Sequence, residues 1–305
     1  MSSFDPRRDL RGIVASLHTP YSAEGDVDTG SLGRLIDHVA ASGCTGVLAT
    51  AVAGEVGSLR PEERSRLLRK VAEATRGRLA LVAGVSAADL ATSCRLAAEA
   101  VALGAEMVLW QPPAGLDAQA LEDGLKALAD TGAGSIMLQD LDWTGSGLDV
   151  AVLARLERRV PELTAVKIET NPAGPKYSAV REATGERLHL SGGWAAMQML
   201  DGLARDLDCF IPSGVLPAYV RISDLWAAGE RDAARALFER ILPIITFSNQ
   251  HIEVSIRFWK RVRLLEGRFA TAECRAARPL DPVQAAEADR LAGRAIALSR
   301  ELTPA

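Results

Sequence analysis

The sequence predicts an α/β fold, a parallel (β/α)8 (TIM) barrel followed by extra C-terminal helices. The first observation is a recurring pattern in which a helical stretch ends near Gly and a short β-rich run follows. Its clearest copies are DHVAASGCTGVLAT, EAVALGAEMVLWQPP and ALADTGAGSIMLQD. The second observation is that further β-rich runs bring the candidate strands to eight, each separated from the next by room for a helix. Such alternation is typical of a closed parallel barrel.

The remaining strands are predicted, in chain order, in RGIVASLHTP, GRLALVAGVS, LTAVKIET, RLHLSGG and LDCFIPSG. After the last of them, residues 217 to 303 follow a helical pattern with mixed charges, as in DAARALFERILPII. This tail is longer than one barrel helix needs, so we expect extra helices that pack on the barrel. The sequence thus predicts a barrel over residues 1–216 and a helical extension over residues 217–305.

The stretches between the strands have the features of helices. DTGSLGRLIDHVAASG repeats Leu and Ile at helical spacing, and Gly43 is placed to end that helix. In SLRPEERSRLLRKVAEA, Ser58 is the predicted N-cap, and Pro61 and Glu62 fall in the first turn.

Composition narrows the class of partner. The 305 residues carry 35 Lys plus Arg against 39 Asp plus Glu, and this net charge of -4 gives no reason to expect nucleic acid or an anionic membrane. We expect a small-molecule ligand instead. The N-terminus lacks the apolar core of a signal peptide, and we find no apolar run of roughly 18 residues, so a cytoplasmic protein is expected.

The cysteines and histidines predict no metal site. Four cysteines lie far apart with no CxxC or Cys/His ligand spacing, so we expect reduced thiols without a function; they are Cys44, Cys94, Cys209 and Cys274. The histidines show no ligand spacing either. His18 is the histidine nearest a strand end, and its neighbours Thr19 and Pro20 favour a loop role.

Two charges stand out in the sixth predicted strand, LTAVKIET. Side chains alternate between the faces of a strand, so Lys167 and Glu169 share one face. In barrels of this class the catalytic residues lie at the carboxyl ends of the strands, and only this strand carries an amine. Burial disfavours the lysine cation and makes the neutral, nucleophilic amine more available for imine formation with a ketone. The alternative is a buried ion pair without a catalytic task.

Several motifs resemble those of the dihydrodipicolinate synthase and N-acetylneuraminate lyase superfamily. They are HTPYSAEGDVDTGSLGRLIDHVAASGCTGVL, the Gly-Glu of AVAGEVGSLRPEER, GAEMVLWQPP and VKIET, and the match runs over nearly the whole chain. The resemblance implies a (β/α)8 barrel in which Lys167 forms an imine with the keto group of a 2-oxo acid. It also implies a dimer or tetramer, and no cofactor beyond the covalent lysine imine.

This sequence departs from the superfamily pattern at two places. The usual Gly-Thr-Thr-Gly-Glu reads Ala-Val-Ala-Gly-Glu over residues 51–55, and the tyrosine usual at the end of strand five is replaced by Gln139. In the superfamily that tyrosine acts as an acid and a base. Gln cannot titrate, so Gln139 cannot take over this role. The QD ending of strand five and the KIE of strand six most resemble the 2-keto-3-deoxy-L-arabinonate dehydratases. By that resemblance Glu169 moves protons beside the imine.

The other strand ends supply candidate substrate-binding residues. Backbone N–H groups of the turn after strand two, at Ala53 and Gly54, are placed to hold a substrate carboxylate. Glu55 is either a ligand contact or a cap of the following helix. Gln139 either bonds a substrate hydroxyl or is only a polar rim residue. The glycine-containing turns after strands seven and eight either let the backbone approach a ligand or only serve the turn. From these two turns we select Gly192 and Ser213 as candidate binding residues.

Three tryptophans fall near strand ends. Trp110, Trp143 and Trp194 form either an apolar wall over the pocket or part of the core or an interface.

The leading hypothesis is therefore a cofactor-free Schiff-base lyase that dehydrates a small 2-keto-3-deoxy sugar acid. A class I aldolase that releases pyruvate and an aldehyde is the nearest alternative, and a deaminase on the same scaffold is another. A non-catalytic binding protein belongs to a different class, which the lost threonines and tyrosine favour and the retained Lys167 and Glu169 oppose. Fold alone does not decide among them.

Overall fold

The computed structural model describes residues 4–303 and confirms the predicted fold class. Eight strands form a closed barrel in the order β1 to β8, and the pairings are parallel. Each strand lies within a predicted β-rich run, except that β5 extends two residues beyond ALADTGAGSIMLQD. The strands are β1 Gly12–Ser16, β2 Gly46–Ala49, β3 Ala80–Gly84, β4 Met107–Trp110, β5 Ile136–Asp142, β6 Leu163–Thr170, β7 His189–Gly192 and β8 Cys209–Phe210.

A helix follows every strand. The helices are α1 Pro6–Asp9, α2 Thr29–Ala41, α3 Pro61–Thr75, α4 Leu90–Ala102, α5 Ala118–Ala129, α6 Val150–Arg159, α7 Gly174–Thr184, α8 Met199–Ala204, α9 Leu216–Ala227, α10 Arg231–Ser248, α11 Ile252–Leu265 and α12 Pro282–Leu302. Helix α9 completes the eighth strand–helix unit, and α10 to α12 are the extra C-terminal helices. No helix within residues 4–303 is long and apolar enough to cross a membrane.

The chain divides into two compact units, each made of segments distant in sequence. One unit comprises Met1–Arg11 and Ala80–Ile211, and the other comprises Gly12–Leu79 and Pro212–Ala305. We call them the strand-six unit and the terminal unit. In the terminal unit, α9 packs beside β1, and α10 packs on α9 and α11. The predicted division into a barrel of residues 1–216 and an extension of residues 217–305 stays a prediction, although residue 217 lies within α9.

The strand-six unit is built around β6, which is buried along most of its length. Strand β5 lies on one side of β6 and β7 on the other. In this register Gln139 is opposite Lys167, and Lys167 is opposite Ser191. Because residues opposite one another on neighbouring strands point to the same face, these three positions lie side by side.

The start of α3 differs from the prediction. Ser58 is not its N-cap but lies in a short 3-10 turn, Val56–Ser58, where its hydroxyl donates to the Glu55 carbonyl at 2.8 Å. The N-cap is Arg60, whose backbone N–H donates to the Glu63 side chain at 2.9 Å. The long Glu63 side chain reaches back to the helix start and replaces the expected serine cap. Pro61 and Glu62 occupy the first turn as predicted.

Candidate active site

Lys167 and Glu169 lie side by side near the carboxyl end of β6. Lys167 Nζ is 3.1 Å from Glu169 Oε2, and both side chains are more than nine-tenths buried. Within residues 4–303, Glu169 is the only side chain that forms an ion pair with Lys167, and no other polar group accepts from its Nζ. The amine therefore keeps unused donor positions in a buried place. That property separates it from a lysine whose hydrogen bonds are all made within the protein.

Gln139 reaches Glu169 from the neighbouring strand β5. Its side-chain amide Nε2 donates to Glu169 Oε2 at 2.5 Å. The Gln139 side-chain oxygen has no hydrogen-bond partner within the described part of the chain, so it stays available to a substrate hydroxyl. The contact with a substrate hydroxyl was one of the two roles expected for Gln139 from the sequence, and the contact with Glu169 was not expected. The structure adds that Gln139 orients the carboxylate.

A strained turn after β7 supplies the third contact to Glu169. The backbone N–H of Trp194 donates to Glu169 Oε1 at 2.8 Å. Trp194, Ala195 and Ala196 all have left-handed backbone conformations, with φ of 51°, 47° and 55°. Each such non-glycine residue costs about 1–2 kcal/mol, so three in succession need support from the surrounding structure. We call residues 193–196 the left-handed turn.

Gly193 is required where Glu169 approaches this turn. A Cβ at Gly193 would overlap the Glu169 carboxylate, so only glycine leaves room for it. The neighbouring Gly192, a predicted substrate-binding residue, has a different environment. A Cβ there would press on Phe210, the Tyr177 hydroxyl and Leu207, at 2.9, 3.0 and 3.1 Å. The structure thus gives Gly192 a packing role, and the glycine beside the candidate base is Gly193.

These contacts determine the charge on Glu169. Burial by itself raises its pKa, because a low-dielectric site disfavours the carboxylate. The positive charge of Lys167, the Trp194 N–H and the Gln139 amide act in the opposite direction and outweigh burial. The pKa of Glu169 consequently lies below its ordinary value. A carboxylate in this state can accept a proton.

Two of the three tryptophans singled out in the sequence lie near this group. The rings of Trp143 and Trp194 meet edge to face, with centroids 5.4 Å apart. Trp143 is 39% exposed, and Trp194 is half-buried. Trp110 is instead a core residue whose ring lies against Gly124 of α5. The apolar wall beside Glu169 therefore consists of Trp143 and Trp194 alone among the three.

A second buried ion pair holds the loop that carries Trp143. Lys176, in the first turn of α7, pairs with Asp140 and also donates to the Ser146 carbonyl. Asp140 Oδ1 accepts the backbone N–H of Leu148 at 2.9 Å. Asp140 follows Gln139 directly, so its side chain points to the opposite face of β5. This pair, absent from the sequence analysis, ties the loop after β5 to α7.

Glu55 belongs to a buried cluster in the terminal unit. Its carboxylate pairs with Lys260 and accepts the backbone N–H groups of Arg275 and Ala276 at 2.8 and 2.7 Å. Neither side chain of the Glu55–Lys260 pair is exposed. The carboxylate thus anchors the segment before α12, which argues against the predicted substrate contact. It does not cap α3, the alternative from the sequence, because Glu63 does.

The other predicted contacts also lie in the terminal unit. Gly54 donates its N–H to the Ala51 carbonyl, and its own carbonyl accepts the Thr19 hydroxyl at 2.6 Å. A carboxylate contact with the Gly54 amide is therefore disfavoured. Ala53 lies in the same 3-10 turn, Val52–Gly54, and Ser213 is half-buried after β8. Substrate binding by Ala53 and Ser213 stays a prediction.

His18, which the sequence assigned to a loop, follows β1 as expected. It is buried, and burial together with the nearby Lys260 and Arg263 lowers its pKa well below the usual range. His18 is therefore neutral.

Known proteins resemble this chain along nearly its whole length. The sequence profile of the dihydrodipicolinate synthetase family matches residues 9–296. This chain belongs to that family. It is 27% identical to the L-2-keto-3-deoxyarabonate dehydratase of Azospirillum brasilense, over 99% of this chain and 97% of the relative. It is 31% identical to the 4-hydroxy-tetrahydrodipicolinate synthase of Xanthomonas axonopodis pv. citri, over 97% of this chain and 99% of the relative.

Solved structures of similar proteins have the same fold. Dihydrodipicolinate synthase from Rhodopseudomonas palustris superimposes with a TM-score of 0.88 at 24% identity, covering 96% of this chain and all of the other. The sialic acid aldolase of Ruminococcus gnavus gives 0.86 at 18% identity, with 97% and 100% covered. The proteins that this chain resembles share the barrel but are named for different reactions. The side chains around Lys167 must decide among those reactions for this member.

In this member of the dihydrodipicolinate synthetase family, the remaining titratable groups offer no competing centre. Within residues 4–303, no group of three or more His, Cys, Asp or Glu side chains is arranged to hold a metal ion. All four cysteines are free thiols, and burial raises the pKa of each. Cys209 lies near Lys167, while Cys274 lies near Lys260. The candidate active site is the group of Lys167, Glu169, Gln139 and the left-handed turn.

Proposed function

We propose that this chain is a Schiff-base lyase that dehydrates a small 2-keto-3-deoxy sugar acid. The observation that carries the proposal is an ionised Glu169 carboxylate 3.1 Å from the Lys167 amine at the carboxyl end of β6. The reaction needs a buried amine and a base next to it, and this pair supplies both. The relative in Azospirillum brasilense, a dehydratase by name, supports the same choice.

The first step joins Lys167 to the substrate. The neutral amine attacks the C2 carbonyl, a C–N bond forms, and water leaves as the imine is completed. Glu169 lies within reach of the proton that the ammonium form of Lys167 must lose, and it returns this proton to the C2 hydroxyl as that group leaves as water. The protonated imine then withdraws electrons from C3 and makes its hydrogens acidic.

The second step removes a proton from C3. Glu169 accepts it, the electron pair moves toward the imine nitrogen, and the resulting enamine expels the C4 hydroxyl, which leaves as water after taking up a proton. Hydrolysis of the imine then consumes the water that its formation released. The net change is the loss of one water molecule and the release of an unsaturated 2-oxo acid. General base assistance of this kind contributes about 10² to 10⁴ in rate.

Gln139 favours dehydration over carbon–carbon cleavage. An aldolase must take the proton from the C4 hydroxyl, and an amide cannot do so at any ordinary pH. The same amide donates to Glu169 and leaves its oxygen for a substrate hydroxyl. The chain therefore has a base placed for C3 and, at the position of Gln139, a neutral hydrogen-bonding group.

The proposal includes a small 2-oxo acid as the partner, the lysine imine in place of a cofactor, and a dimer or tetramer as the assembly. The test combines borohydride trapping with product analysis. The wild-type protein is incubated with pyruvate and with a panel of 2-keto-3-deoxy acids, reduced and weighed intact, while NMR follows the products. We expect a mass increase from the reduced imine, and loss of water from at least one panel member without release of an aldehyde.

Other outcomes replace the proposal with a named alternative. Release of pyruvate and an aldehyde would identify an aldolase. Binding of a 2-oxo acid without any trapped adduct would identify a non-catalytic binding protein.

A further inference from the structure

The left-handed turn has a backbone conformation that is costly for its three non-glycine residues. It is closed by two hydrogen bonds, from Ala196 N–H to the Gly193 carbonyl at 3.0 Å and from Met197 N–H to the Trp194 carbonyl at 3.1 Å. A right-handed turn would close with the same number of bonds and without the strain. Backbone strain next to reacting groups suggests that the strained residues have a functional role. Here it directs the Trp194 N–H at Glu169 Oε1.

The two oxygens of Glu169 are treated differently. Oε2 faces Lys167 and the Gln139 amide, which are the groups next to the proposed imine. Within residues 4–303, Oε1 has one hydrogen bond, from the Trp194 N–H, and it lies where a Gly193 Cβ would be. The turn therefore holds Oε1 of the carboxylate by a hydrogen bond and leaves Oε2 directed at the Lys167 amine.

We infer that the left-handed turn is a positioning element for Glu169, which it keeps ionised and aimed at C3 of the Lys167 imine. The inference rests on the proposed function for its consequence in catalysis. Its structural part, the control of the Glu169 charge by the turn, does not depend on which substrate is used. Gly193 provides the space, and the left-handed residues 194–196 provide the direction of the amide.

The groups that face Glu169 determine what a pH experiment will report. On β6 the only other charge is Lys167, and on β5 the neighbour is the neutral Gln139. On α7 the neighbour is Tyr177, whose pKa is raised by burial and by Glu169 and Asp201, so it is neutral at working pH. Cys209 on β8 interacts with Lys167 and is likewise protonated. The Trp194 N–H is thus a contact to Glu169 that can be weakened without removing a charge.

One pair of variants changes the cost of the turn at a single position. Ala195→Val places a β-branched residue at φ 47° and disfavours the turn, whereas Ala195→Gly removes the penalty at that residue. The measurements are the Glu169 carboxyl pKa by ¹³C NMR on labelled protein and the rate at which pyruvate C3 protons exchange in deuterated water. We expect the Val variant to raise the Glu169 pKa and move the acid limb of exchange to higher pH, and the Gly variant to shift both by less than the Val variant does.

Gly193→Ala tests the space beside the carboxylate. We expect it to slow C3-proton exchange by about 10²-fold or more, since the base is displaced, while borohydride still traps the pyruvate imine. The matched control is Gly134→Ala, an exposed position of the same unit where a Cβ meets nothing within 4 Å, and it should behave as wild type. If Gly193→Ala fails to fold, the Ala195 pair decides.

The results separate this inference from the proposed function. An unchanged Glu169 pKa and acid limb in folded Ala195→Val, or wild-type exchange in folded Gly193→Ala, would overturn the inference even if the protein is a dehydratase. Absence of imine trapping by the wild-type protein would overturn the proposed function. The NMR pKa comparison would then still decide whether the turn controls Glu169.

Discussion

Two buried lysine–glutamate pairs occur within residues 4–303, Lys167–Glu169 in the strand-six unit and Lys260–Glu55 in the terminal unit. Both pairs are almost or fully removed from solvent. They differ in how many of their hydrogen-bonding positions are already used within the protein. This difference, and not burial or charge, distinguishes a candidate catalytic pair from a structural one.

The Lys260–Glu55 pair is closed. Lys260 donates to Glu55 and to the Glu273 carbonyl, and its ammonium lies 4.2 Å from the centre of the Tyr21 ring. Glu55 accepts two backbone N–H groups besides the lysine. Burial lowers the pKa of Lys260 while Glu55 opposes that effect. Two protein oxygens and the Tyr21 ring thus contact the Lys260 ammonium, and the pair serves to fasten the segment before α12.

The Lys167–Glu169 pair is open on the lysine side. Within residues 4–303, the hydrogen bonds from other elements go to the carboxylate, and the amine has Glu169 as its only ion-pair partner. Removing each lysine in turn should therefore have opposite consequences, one for chemistry and one for stability. The following changes are arranged from the largest expected effect to the smallest.

Lys167→Ala should abolish both turnover and borohydride trapping, because no other lysine in the described part of the chain pairs with Glu169. Intact mass after reduction with pyruvate measures the trapping directly. Lys126→Ala, an exposed lysine of α5 in the same unit, is the control and should leave trapping complete. An adduct of wild-type yield on folded Lys167→Ala would assign the imine to a different amine.

Glu169→Gln should slow exchange of C3 protons by about 10² to 10⁴, since the side chain keeps its shape and one acceptor oxygen but cannot take a proton. Imine trapping with pyruvate should persist. NMR in deuterated water follows the exchange, and mass spectrometry follows the trapping. Exchange at the wild-type rate would reduce Glu169 to an orienting partner of Lys167.

Lys260→Met should destabilise the protein by about 3–5 kcal/mol, because it leaves Glu55 buried without its cation. The pyruvate imine should still be trapped at a temperature where the variant is folded. Urea denaturation measures the free energy of unfolding. Lys70→Met breaks an exposed pair in the same unit and should change that free energy by less than about 1 kcal/mol. Equal stability of the two variants would contradict the structural role given to Lys260.

The same contrast explains what the sequence could predict. The eight strands and the shared face of Lys167 and Glu169 follow from local periodicity, which one stretch of chain carries by itself. The Lys260–Glu55 pair joins residues 205 positions apart, so no local pattern indicates it. The sequence does not indicate the left-handed turn either, because Trp and Ala show no preference for positive φ and adopt it only under tertiary constraint. Gly193 was visible as a glycine, but its task depends on where Glu169 points.

Thiol modification should have the smallest effect, and it probes both lysine pairs at once because each has a cysteine nearby. Cys209, near Lys167, is fully buried, and Cys274, near Lys260, is half-buried. Burial raises the pKa of both, so little reactive thiolate exists at neutral pH. Iodoacetamide on the native protein should therefore modify Cys274 slowly and Cys209 not at all, with trapping unchanged. Peptide mapping locates the modified residues. If Cys209 were modified without unfolding and trapping were lost as a result, the surroundings of Lys167 would be more accessible to solvent than the burial of Cys209 indicates.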